Sequence, residues 1–228
     1  MAYGKQLGIF VKAPVPGAVK TRLVPPLSPE EACALHEALA ADVFRRAGRL
    51  VKVSVTVFYA GATPGSLASA MPPRAALVAQ EGDDLGARLR AAFAHLLAGE
   101  GRTAVIIGSD SPDLPRPYLK RAFQRLKHHD VVLGPSVDGG YYLIGLRRAL
   151  PVLFEGVRWG SEAVLAQTLD AVARAGASLA LLPVWYDVDD SPSLALLEQL
   201  ERARRLAGQP GLPAVREFLA RRRDRDEG

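Results

Sequence analysis

Cysteine and long apolar runs are scarce in this sequence, and each shortage excludes a class of protein. Its 228 residues include one cysteine, Cys33, which excludes an internal disulfide and a metal cluster built from cysteines alone. No apolar run approaches the roughly 18 residues of a membrane span. The first run, at residues 7–11, is also shorter than the apolar part of a signal peptide, about 7 to 15 residues. We therefore expect a cytoplasmic protein with no membrane partner.

Positive charge is in small excess, and much of that excess lies at one end of the chain. The formal net charge is +5, from 29 Lys and Arg against 24 Asp and Glu. Residues 199–228 hold eight arginines and five acids, which leaves 21 bases (29 − 8) against 19 acids (24 − 5) elsewhere. The arginines at 221–225 alternate with acids and have no aromatic neighbours for base stacking. The pattern predicts a solvated helix end and no nucleic-acid partner.

Hydrophobic residues make up 49% of the chain and charged residues 23%, a composition typical of a globular domain. Apolar runs at 7–11, 77–79, 104–107, 131–133, 141–144 and 179–182 predict strands, and strict alternation at 51–57 predicts a strand with one buried face. Helical spacing predicts helices that begin after Ser28 and cover 85–97, 116–126, 161–175, 192–206 and 213–222. Alternating strands and helices indicate one three-layer α/β domain over residues 1–228 with a mainly parallel sheet, and a helical extension at about 207–228.

The loop after the first strand, KAPVPGAVKTR at residues 12–22, is typical of a phosphate site. Ligands of an open parallel sheet bind at the carboxyl ends of its strands. Gly17 would let the backbone approach an anion, and Lys12, Lys20 and Arg22 would neutralise a di- or triphosphate. Val19 stands where a Walker A loop requires glycine, and the chain has no G-x-G-x-x-G motif. The alternative is a surface loop with ordinary solvated cations.

Acidic residues follow two later segments of the chain. Asp110, in GSDSPD at 108–113, comes directly after a buried strand and suits Mg²⁺, which is often held by one or two carboxylates together with substrate phosphates. A second ligand is expected from Asp187 or Asp189 in the DVDD segment, whereas Asp190 is predicted to cap the next helix. Asp113 is equally consistent with a helix or turn cap.

Two glycine-containing loops are weaker candidates. In GPSVDGGYY at 134–142, two glycines beside Asp138 suggest close approach to a substrate, although a tight turn explains them almost as well. In QEGDDLGAR at 80–88, small residues and Arg88 would shape a base or sugar pocket. The four histidines fall on helices or a helix end away from these loops, and we assign no catalytic role to any of them: His36, His95, His128 and His129.

Five motifs in order resemble the DUF2064 family of GT-A-like transferases: FVKAPVPGAVKTRL, QxGxDLGxR, GSDSPDL, GPxxDGGYYLIGL and DVD. The resemblance covers residues 7–197. The opening KTRL, followed by LSPEE, is also similar to phospholactate guanylyltransferases of the same nucleotide-diphospho-sugar transferase superfamily. The resemblance implies a Rossmann-like GT-A fold with Mg²⁺ or Mn²⁺ on Asp110 and Asp189. The sequence DVDDSP has an additional acid where the family usually has DVDTP, which leaves the choice among Asp187, Asp189 and Asp190 open.

The same resemblance implies a metal-dependent transferase that acts on a nucleotide-activated sugar and an unknown small-molecule acceptor. The catalytic candidates are Asp110, Asp138 and Lys20. The nucleotide-binding candidates are Lys12, Pro14, Gly17, Lys20, Arg22, Gly86, Arg88, Gly108 and Ser109. The substrate-binding candidates are Asp138, Gly139, Gly140 and Tyr141.

Two alternatives to glycosyl transfer stay open. Asp110 has no second acid in D-x-D spacing, which is closer to nucleotidyltransferases, in which a substrate phosphate attacks the α-phosphate of a nucleoside triphosphate and pyrophosphate leaves. The other alternative is a non-catalytic module that binds a nucleotide-sugar. The sequence makes no prediction of the oligomeric state.

Overall fold

The computed structural model describes residues 4–61 and 65–226. The strands in these ranges are β1 (Lys5–Lys12), β2 (Ser54–Ala60), β3 (Ala76–Ala79), β4 (Thr103–Gly108), β5 (Val131–Pro135), β6 (Tyr141–Leu146) and β7 (Leu179–Leu181). The α-helices are α1 (Pro29–Ala47), α2 (Leu85–Leu97), α3 (Arg116–Arg125), α4 (Val164–Arg174), α5 (Ser191–Leu206) and α6 (Pro213–Asp226). Short 3₁₀ helices lie at Thr21–Leu23, Ser66–Ala70 and Pro151–Phe154.

All seven strands form one sheet in the order β3-β2-β1-β4-β6-β5-β7. Strand β6 is antiparallel to both of its neighbours, and the other neighbouring strands are parallel. The prediction of a mainly parallel α/β domain is confirmed. The reversal of β6 was not predicted, yet it follows from chain length: five residues separate β5 from β6, and a parallel crossover needs roughly a dozen or more.

Helices cover both faces of the sheet and make the three predicted layers. On one face, Leu7 of β1 belongs to a buried cluster with Phe44 of α1 and Phe123 of α3. On the other, Ile106 of β4 lies in a cluster with Phe93 of α2 and with residues of α4. Since successive side chains of a strand point to opposite faces, each central strand contributes to both clusters.

Strand β2 differs from its prediction in position and in burial. The strand begins at Ser54, because Val51 is 81% exposed and Lys52 adopts a left-handed conformation with φ 60° in the preceding turn. Thr56, Val57 and Phe58 are buried in succession. The predicted single buried face is therefore wrong: β2 lies between β1 and β3 in a sheet that is covered on both sides.

The predicted start of the first helix is confirmed in detail. Ser28 Oγ accepts a hydrogen bond from the Glu31 backbone N–H at 3.1 Å, and Glu31 Oε2 accepts from the Ser28 N–H at 2.8 Å. Pro29 occupies the first helical position, where its missing N–H costs nothing. Cys33 is buried in the same helix.

A third cluster connects the C-terminal helices to the rest of the domain. Leu35 of α1 lies in it with Leu197 of α5 and Phe218 of α6, and the cluster also includes Leu23 and Val188 from segments discussed below. Residues 227 and 228 of the predicted extension lie outside the described residues. Within residues 4–61 and 65–226, no helix is both long enough and apolar enough to cross a membrane.

Candidate active site

Three segments meet at the carboxyl ends of the central strands. Strands β1 and β4 are parallel neighbours, so the loop at 12–22 and the segment at 108–113 leave the sheet at the same edge. The backbone N–H of Val188 donates to the carbonyl of Asp110 at 2.9 Å, and the Trp185 N–H donates to the Pro135 carbonyl at 3.1 Å. These hydrogen bonds bring residues 185–189 alongside Asp110.

Lys20 lies at the centre of this arrangement. Its Nζ contacts Asp110 Oδ1 and lies 2.8 Å from Asp189 Oδ1. The Lys20 side chain is only 3% exposed, whereas the carboxylate side chains are 34% and 43% exposed. The two acids assigned to the metal from the resemblance thus converge on one point, and an ammonium group occupies that point.

Electrostatics keep this trio charged. Burial by itself would lower the pKa of Lys20, but the carboxylates of Asp110 and Asp189 outweigh it and raise that pKa above its ordinary value. Burial by itself would raise the pKa of Asp110, but Lys20, together with His36 and Lys12, lowers it below the usual range. The ion pairs therefore persist across the neutral pH range.

Asp187 has a different environment from Asp189. Its carboxylate accepts hydrogen bonds from the hydroxyl of Ser111 and, at 3.2 Å, from that of Ser136. Burial raises the pKa of Asp187 to about 6, and the charges of Asp110 and Asp189 add to this effect while Ser111 opposes it. Asp190 caps α5 by accepting from the Ser193 N–H at 2.9 Å, as predicted.

His36 is not remote from the site, and the prediction on this point is wrong. The side chain is buried in α1, and its Nε2 donates to the carbonyl of Lys12 at 3.0 Å, since a carbonyl can only accept. Nδ1 lies 3.9 Å from Asp110 Oδ1. The sequence contained a signal, because His36 follows Ala32 by four residues and precedes Leu39 by three on the buried face of the helix. Through this hydrogen bond, His36 fixes the backbone at Lys12, where β1 ends and the loop begins.

Asp113 caps neither a helix nor a turn. The side chain is buried and accepts hydrogen bonds from Trp185 Nε1 at 3.2 Å, Tyr186 OH at 2.8 Å and Arg204 Nη2 at 3.0 Å. The residue before α3 is Pro115, which makes no side-chain cap. Asp113 instead joins α5 to the segment that carries Asp187 and Asp189.

An open cleft of about 980 Å³ lies over these residues. The predicted site residues that line it are Lys12, Lys20, Arg22, Asp138, Gly140, Tyr141 and Asp189. Eight other predicted residues are not part of this lining: Pro14, Gly17, Gly86, Arg88, Gly108, Ser109, Asp110 and Gly139.

The loop at 12–22 is held by two apolar anchors and two left-handed residues. Val19 and Leu23 are buried, which fixes the loop on the domain. Gly17 has φ 78° and open space where a side chain would begin, so glycine suits this turn. Lys20 has φ 50°, a conformation that costs a residue with a side chain about 1–2 kcal/mol. The domain accepts this cost at the residue whose ammonium meets both carboxylates.

Gly86 and Arg88 support the cleft from behind. A Cβ on Gly86 would lie 2.6 Å from Trp159 Nε1, so the indole rests directly on this glycine. Arg88 Nε donates to the Gly82 carbonyl at 2.9 Å and closes the loop before α2. From this motif it is Leu85, 40% exposed, that lines the cleft.

The loop between β5 and β6 is a tight turn. The Gly140 N–H donates to Asp138 Oδ1 at 3.0 Å, and the Ser136 N–H donates to the Gly140 carbonyl at 3.0 Å. Gly139 has φ 84°, and a Cβ there would lie 2.5 Å from the carbonyl of Glu162. The turn and its contact with Glu162 account for Gly139, and Asp138 remains exposed in the cleft.

Sequence reasoning missed the segment at 156–163, which contributes Arg158, Trp159 and Glu162 to the cleft. The predicted site residues lie directly after predicted strands, whereas this segment follows a 3₁₀ helix. An arginine and a tryptophan between Gly156 and Gly160 were the available signal.

The donor set of this site fits a hard divalent cation that also binds substrate phosphates. Asp110 and Asp189 offer carboxylate oxygens that already converge on one cation, and Mg²⁺ commonly takes one or two carboxylates and completes its shell with water and phosphate. Among residues 4–61 and 65–226, no group of three or more His, Cys, Asp or Glu could form an all-protein site.

Comparison with known proteins gives the family. The sequence model described as "Uncharacterized protein conserved in bacteria (DUF2064)" matches residues 43–161, more than half of the chain. The chain belongs to the DUF2064 family. The family resemblance inferred from the five motifs is thereby confirmed. No curated protein matches this DUF2064 chain.

Solved structures share the fold of this DUF2064 protein. A crystal structure from Desulfovibrio desulfuricans G20, provisionally named a nucleotide-diphospho-sugar transferase, is 31% identical with a TM-score of 0.85, and 96% of each chain is covered. CMP:2-keto-3-deoxy-manno-octonic acid synthetase in complex with CTP is 12% identical with a TM-score of 0.57, covering 88% of this chain and 99% of that one. Rv0371c of Mycobacterium tuberculosis H37Rv, in complex with manganese, is 18% identical with a TM-score of 0.52, covering 85% and 98%. The last two likenesses concern the fold.

Proposed function

We propose that this protein is a metal-dependent transferase of the GT-A type, which moves a sugar from a nucleotide-activated donor to a small-molecule acceptor. The observation that carries the proposal is the convergence of Asp110 and Asp189 on one cation beside the loop at 12–22. The name given to the 31% identical structure supports a nucleotide-diphospho-sugar donor. The CTP and manganese complexes of proteins with the same fold support the two ligand classes.

The loop at 12–22 would bind the donor's phosphates. Lys12 and Arg22 line the cleft and make no ion pair with any residue in the described ranges, so both cations are free for an anionic ligand. Charge-assisted hydrogen bonds to phosphate are roughly twice as strong as neutral ones. His36 would fix the backbone of Lys12 through its carbonyl, which makes it a positioning residue in this proposal.

Asp110 and Asp189 would hold Mg²⁺ or Mn²⁺. A bound divalent cation would stabilise the charge that develops on the departing diphosphate. The cation could bind these oxygens only if the Lys20 ammonium moved away from them. The ammonium could then donate to the donor's phosphates, which would lie in the same cleft. In this proposal Lys20 has two roles. It neutralises the carboxylates of Asp110 and Asp189 when no metal is bound, and it binds the phosphates when the metal is bound.

Asp138 is the proposed catalytic carboxylate for the acceptor. The side chain is exposed in the cleft, and the Gly140 N–H fixes one of its oxygens, which leaves the other to receive a proton from an acceptor hydroxyl. Asp187 is less suited to this role, because two serine hydroxyls already occupy its oxygens.

A nucleotidyltransferase is the second candidate, and one observation favours it. The second acid at the site comes from a distant segment, Asp189, rather than from a D-x-D motif around Asp110. The same cations would stabilise a departing pyrophosphate as readily as a departing nucleoside diphosphate.

Product analysis separates the candidates. The protein is incubated with MnCl₂ and either a panel of UDP- and GDP-sugars or nucleoside triphosphates with sugar phosphates. Release of nucleoside diphosphate from a nucleotide-sugar, abolished in Asp110→Asn and unaffected in the exposed control Asp83→Asn, is the expected result. Release of pyrophosphate would instead identify a nucleotidyltransferase. Binding without either product would identify a non-catalytic module.

A further inference from the structure

The segment at 156–163 forms part of the cleft that the donor proposal does not use. It lies between the 3₁₀ helix Pro151–Phe154 and α4, and Arg158, Trp159 and Glu162 from it line the cleft. The cations assigned to the donor all belong to the loop at 12–22. A separate element of the fold therefore supplies Arg158 to the same cavity.

Hydrogen bonds within the segment fix its backbone. The Arg158 N–H donates to Gln167 Oε1 of α4 at 2.8 Å, and Ser161 Oγ donates to the Arg158 carbonyl at 2.7 Å. The Leu165 N–H, at the start of α4, donates to the Gly139 carbonyl at 2.9 Å. Backbone groups on both sides of the Arg158 α-carbon are thus bound, so the direction in which its side chain leaves the wall is set before any ligand arrives.

The segment packs closely against the domain at two glycines, which have no side chain to keep it away. The indole of Trp159 rests on Gly86 of α2, and the carbonyl of Glu162 lies against Gly139, where a Cβ would be only 2.6 Å and 2.5 Å away respectively. Any side chain at either glycine would push the segment into the cleft. The segment is therefore a built wall of the cavity.

Arg158 presents an unpaired guanidinium from this wall. The residue is exposed, and it makes no ion pair of 4.0 Å or less with an acid in residues 4–61 or 65–226, including Glu162, which lies four positions away. Some arginines elsewhere in the domain are paired, as Arg147 is with Asp130 and Arg216 with Glu201, whereas Arg158 combines the lack of an ion pair with a place in the cleft lining. A planar guanidinium matches carboxylate and phosphate groups with two parallel hydrogen bonds.

We propose that Arg158, beside the indole of Trp159, binds the anionic group of a second substrate, so that the acceptor is a small phosphate monoester or carboxylate. This inference rests on the proposed function, because it assigns the donor to the loop at 12–22. The half-buried indole gives the acceptor an apolar surface next to the guanidinium. Arg158 is in this view a specificity-determining residue of the acceptor side.

The two tryptophans of the chain make the proposal measurable. Trp159 lies in the proposed site, whereas Trp185 Nε1 donates to the buried Asp113 and serves as an internal reference. The indole N–H resonances of ¹⁵N-labelled protein, assigned with Trp159→Phe, are followed while glycerol 3-phosphate, glycerate or glycerol is added. All titrations contain MgCl₂, which is diamagnetic and leaves the indole resonances sharp, and a saturating nucleoside diphosphate, whose own affinity is measured separately by calorimetry.

The expected result is a saturable shift of the Trp159 resonance with glycerol 3-phosphate or glycerate and none with glycerol. Arg158→Gln should weaken that binding about ten- to hundredfold, a range typical of a lost charge-assisted hydrogen-bonding group. Arg158→Lys should recover part of the affinity. The matched control is Arg174→Gln, an exposed arginine of α4 outside the cleft lining, and it should leave the anion's affinity unchanged.

Three outcomes would overturn the inference. The first is an anion affinity that is equal in the wild type and in Arg158→Gln, and the second is the absence of any Trp159 shift with both anions. The third is a loss of nucleoside diphosphate affinity in Arg158→Gln, which would place Arg158 on the donor side. If the wild type binds the anion through Arg158 but binds no nucleotide, the proposed function fails and the anion site stands.

Discussion

Replacement of Lys20 by methionine removes the cation that Asp110 and Asp189 share. The Lys20 side chain is 3% exposed and its Nζ contacts both carboxylates. Methionine keeps much of the aliphatic length, so the main change is the loss of charge. Two acids that had a common partner then face each other without one.

The expected loss of stability lies between two limits. Removing one partner of a fully buried ion pair costs about 3–5 kcal/mol, whereas an exposed pair contributes about 0–1 kcal/mol. Here the cation is buried but the carboxylates are 34% and 43% exposed, so water screens part of the unpaired charge. We expect a loss of about 1–3 kcal/mol, which lowers the Tm of a domain of this size by roughly 2–12 °C.

Thermal and urea unfolding, with and without MnCl₂, test this reasoning. Lys12→Met is the matched control: Lys12 is exposed and makes no ion pair within the described residues, so its loss should stay within about 0.5 kcal/mol. Asp189→Asn added to Lys20→Met should recover stability by removing the repulsion. In the absence of nucleotide, Mn²⁺ should raise the Tm of Lys20→Met more than that of the wild type. Equal stability of the two methionine variants, or no recovery in the double variant, would refute the reasoning.

Three further predictions concern other parts of the domain. Arg22→Ala should weaken a nucleoside diphosphate about ten- to hundredfold and leave the nucleoside unchanged in calorimetry; equal losses would make Arg22 a structural residue. Asp113→Ala should lower the free energy of unfolding in urea by about 3–5 kcal/mol, since the buried carboxylate of Asp113 pairs with Arg204. A loss below about 1 kcal/mol would contradict the role of Asp113 as a buried ion-pair partner. Asp130→Asn should lower stability at pH 7. Arg147 and a backbone N–H hold the pKa of Asp130 below its usual range. The stability that the Asp130 carboxylate contributes is therefore fully present above about pH 4 and is lost as the pH falls below that value. The urea midpoints of the variant and the wild type should converge over this acidic range. A constant difference down to pH 2 would contradict the assigned pKa.

Much of the fold could be predicted because its elements are coded locally. The capping box of Ser28 and Glu31 starts α1 where expected, and the apolar runs of β1 and β4 predicted two central strands. The rule that ligands bind beyond the carboxyl ends of parallel strands then placed Asp110 and the loop at 12–22 in one region. In the structure, these two segments do leave neighbouring strands at the same edge.

The rest depended on contacts that no local pattern contains. Lys20 and Asp189 are 169 positions apart, and they meet because backbone hydrogen bonds, such as that from Val188 to Asp110, align residues 185–189 with the segment after β4, beside the first loop. His36 looked like one more position on a helix, because its partner is a backbone carbonyl from another element. The segment with Arg158 follows no strand, so strand ends could not lead to it.

The charges of the cleft give a separate reason to expect that a divalent cation accompanies the nucleotide. The lining has four cationic and four acidic side chains, namely Lys12, Lys20, Arg22 and Arg158, and Asp138, Glu162, Asp187 and Asp189. Asp110 adds a fifth acid through its ion pair with Lys20. A diphosphate would enter a cavity whose positive charges are already balanced by acids. The carboxylates of those acids would repel its negative charge. A divalent cation held by Asp110 and Asp189 would change this balance in two ways: it would neutralise the two acids, and the Lys20 ammonium would become available to the phosphates. Under the proposed function, the cleft would become a phosphate site when metal and nucleotide bind together, which is why Lys20 and the two aspartates have to be tested as one unit.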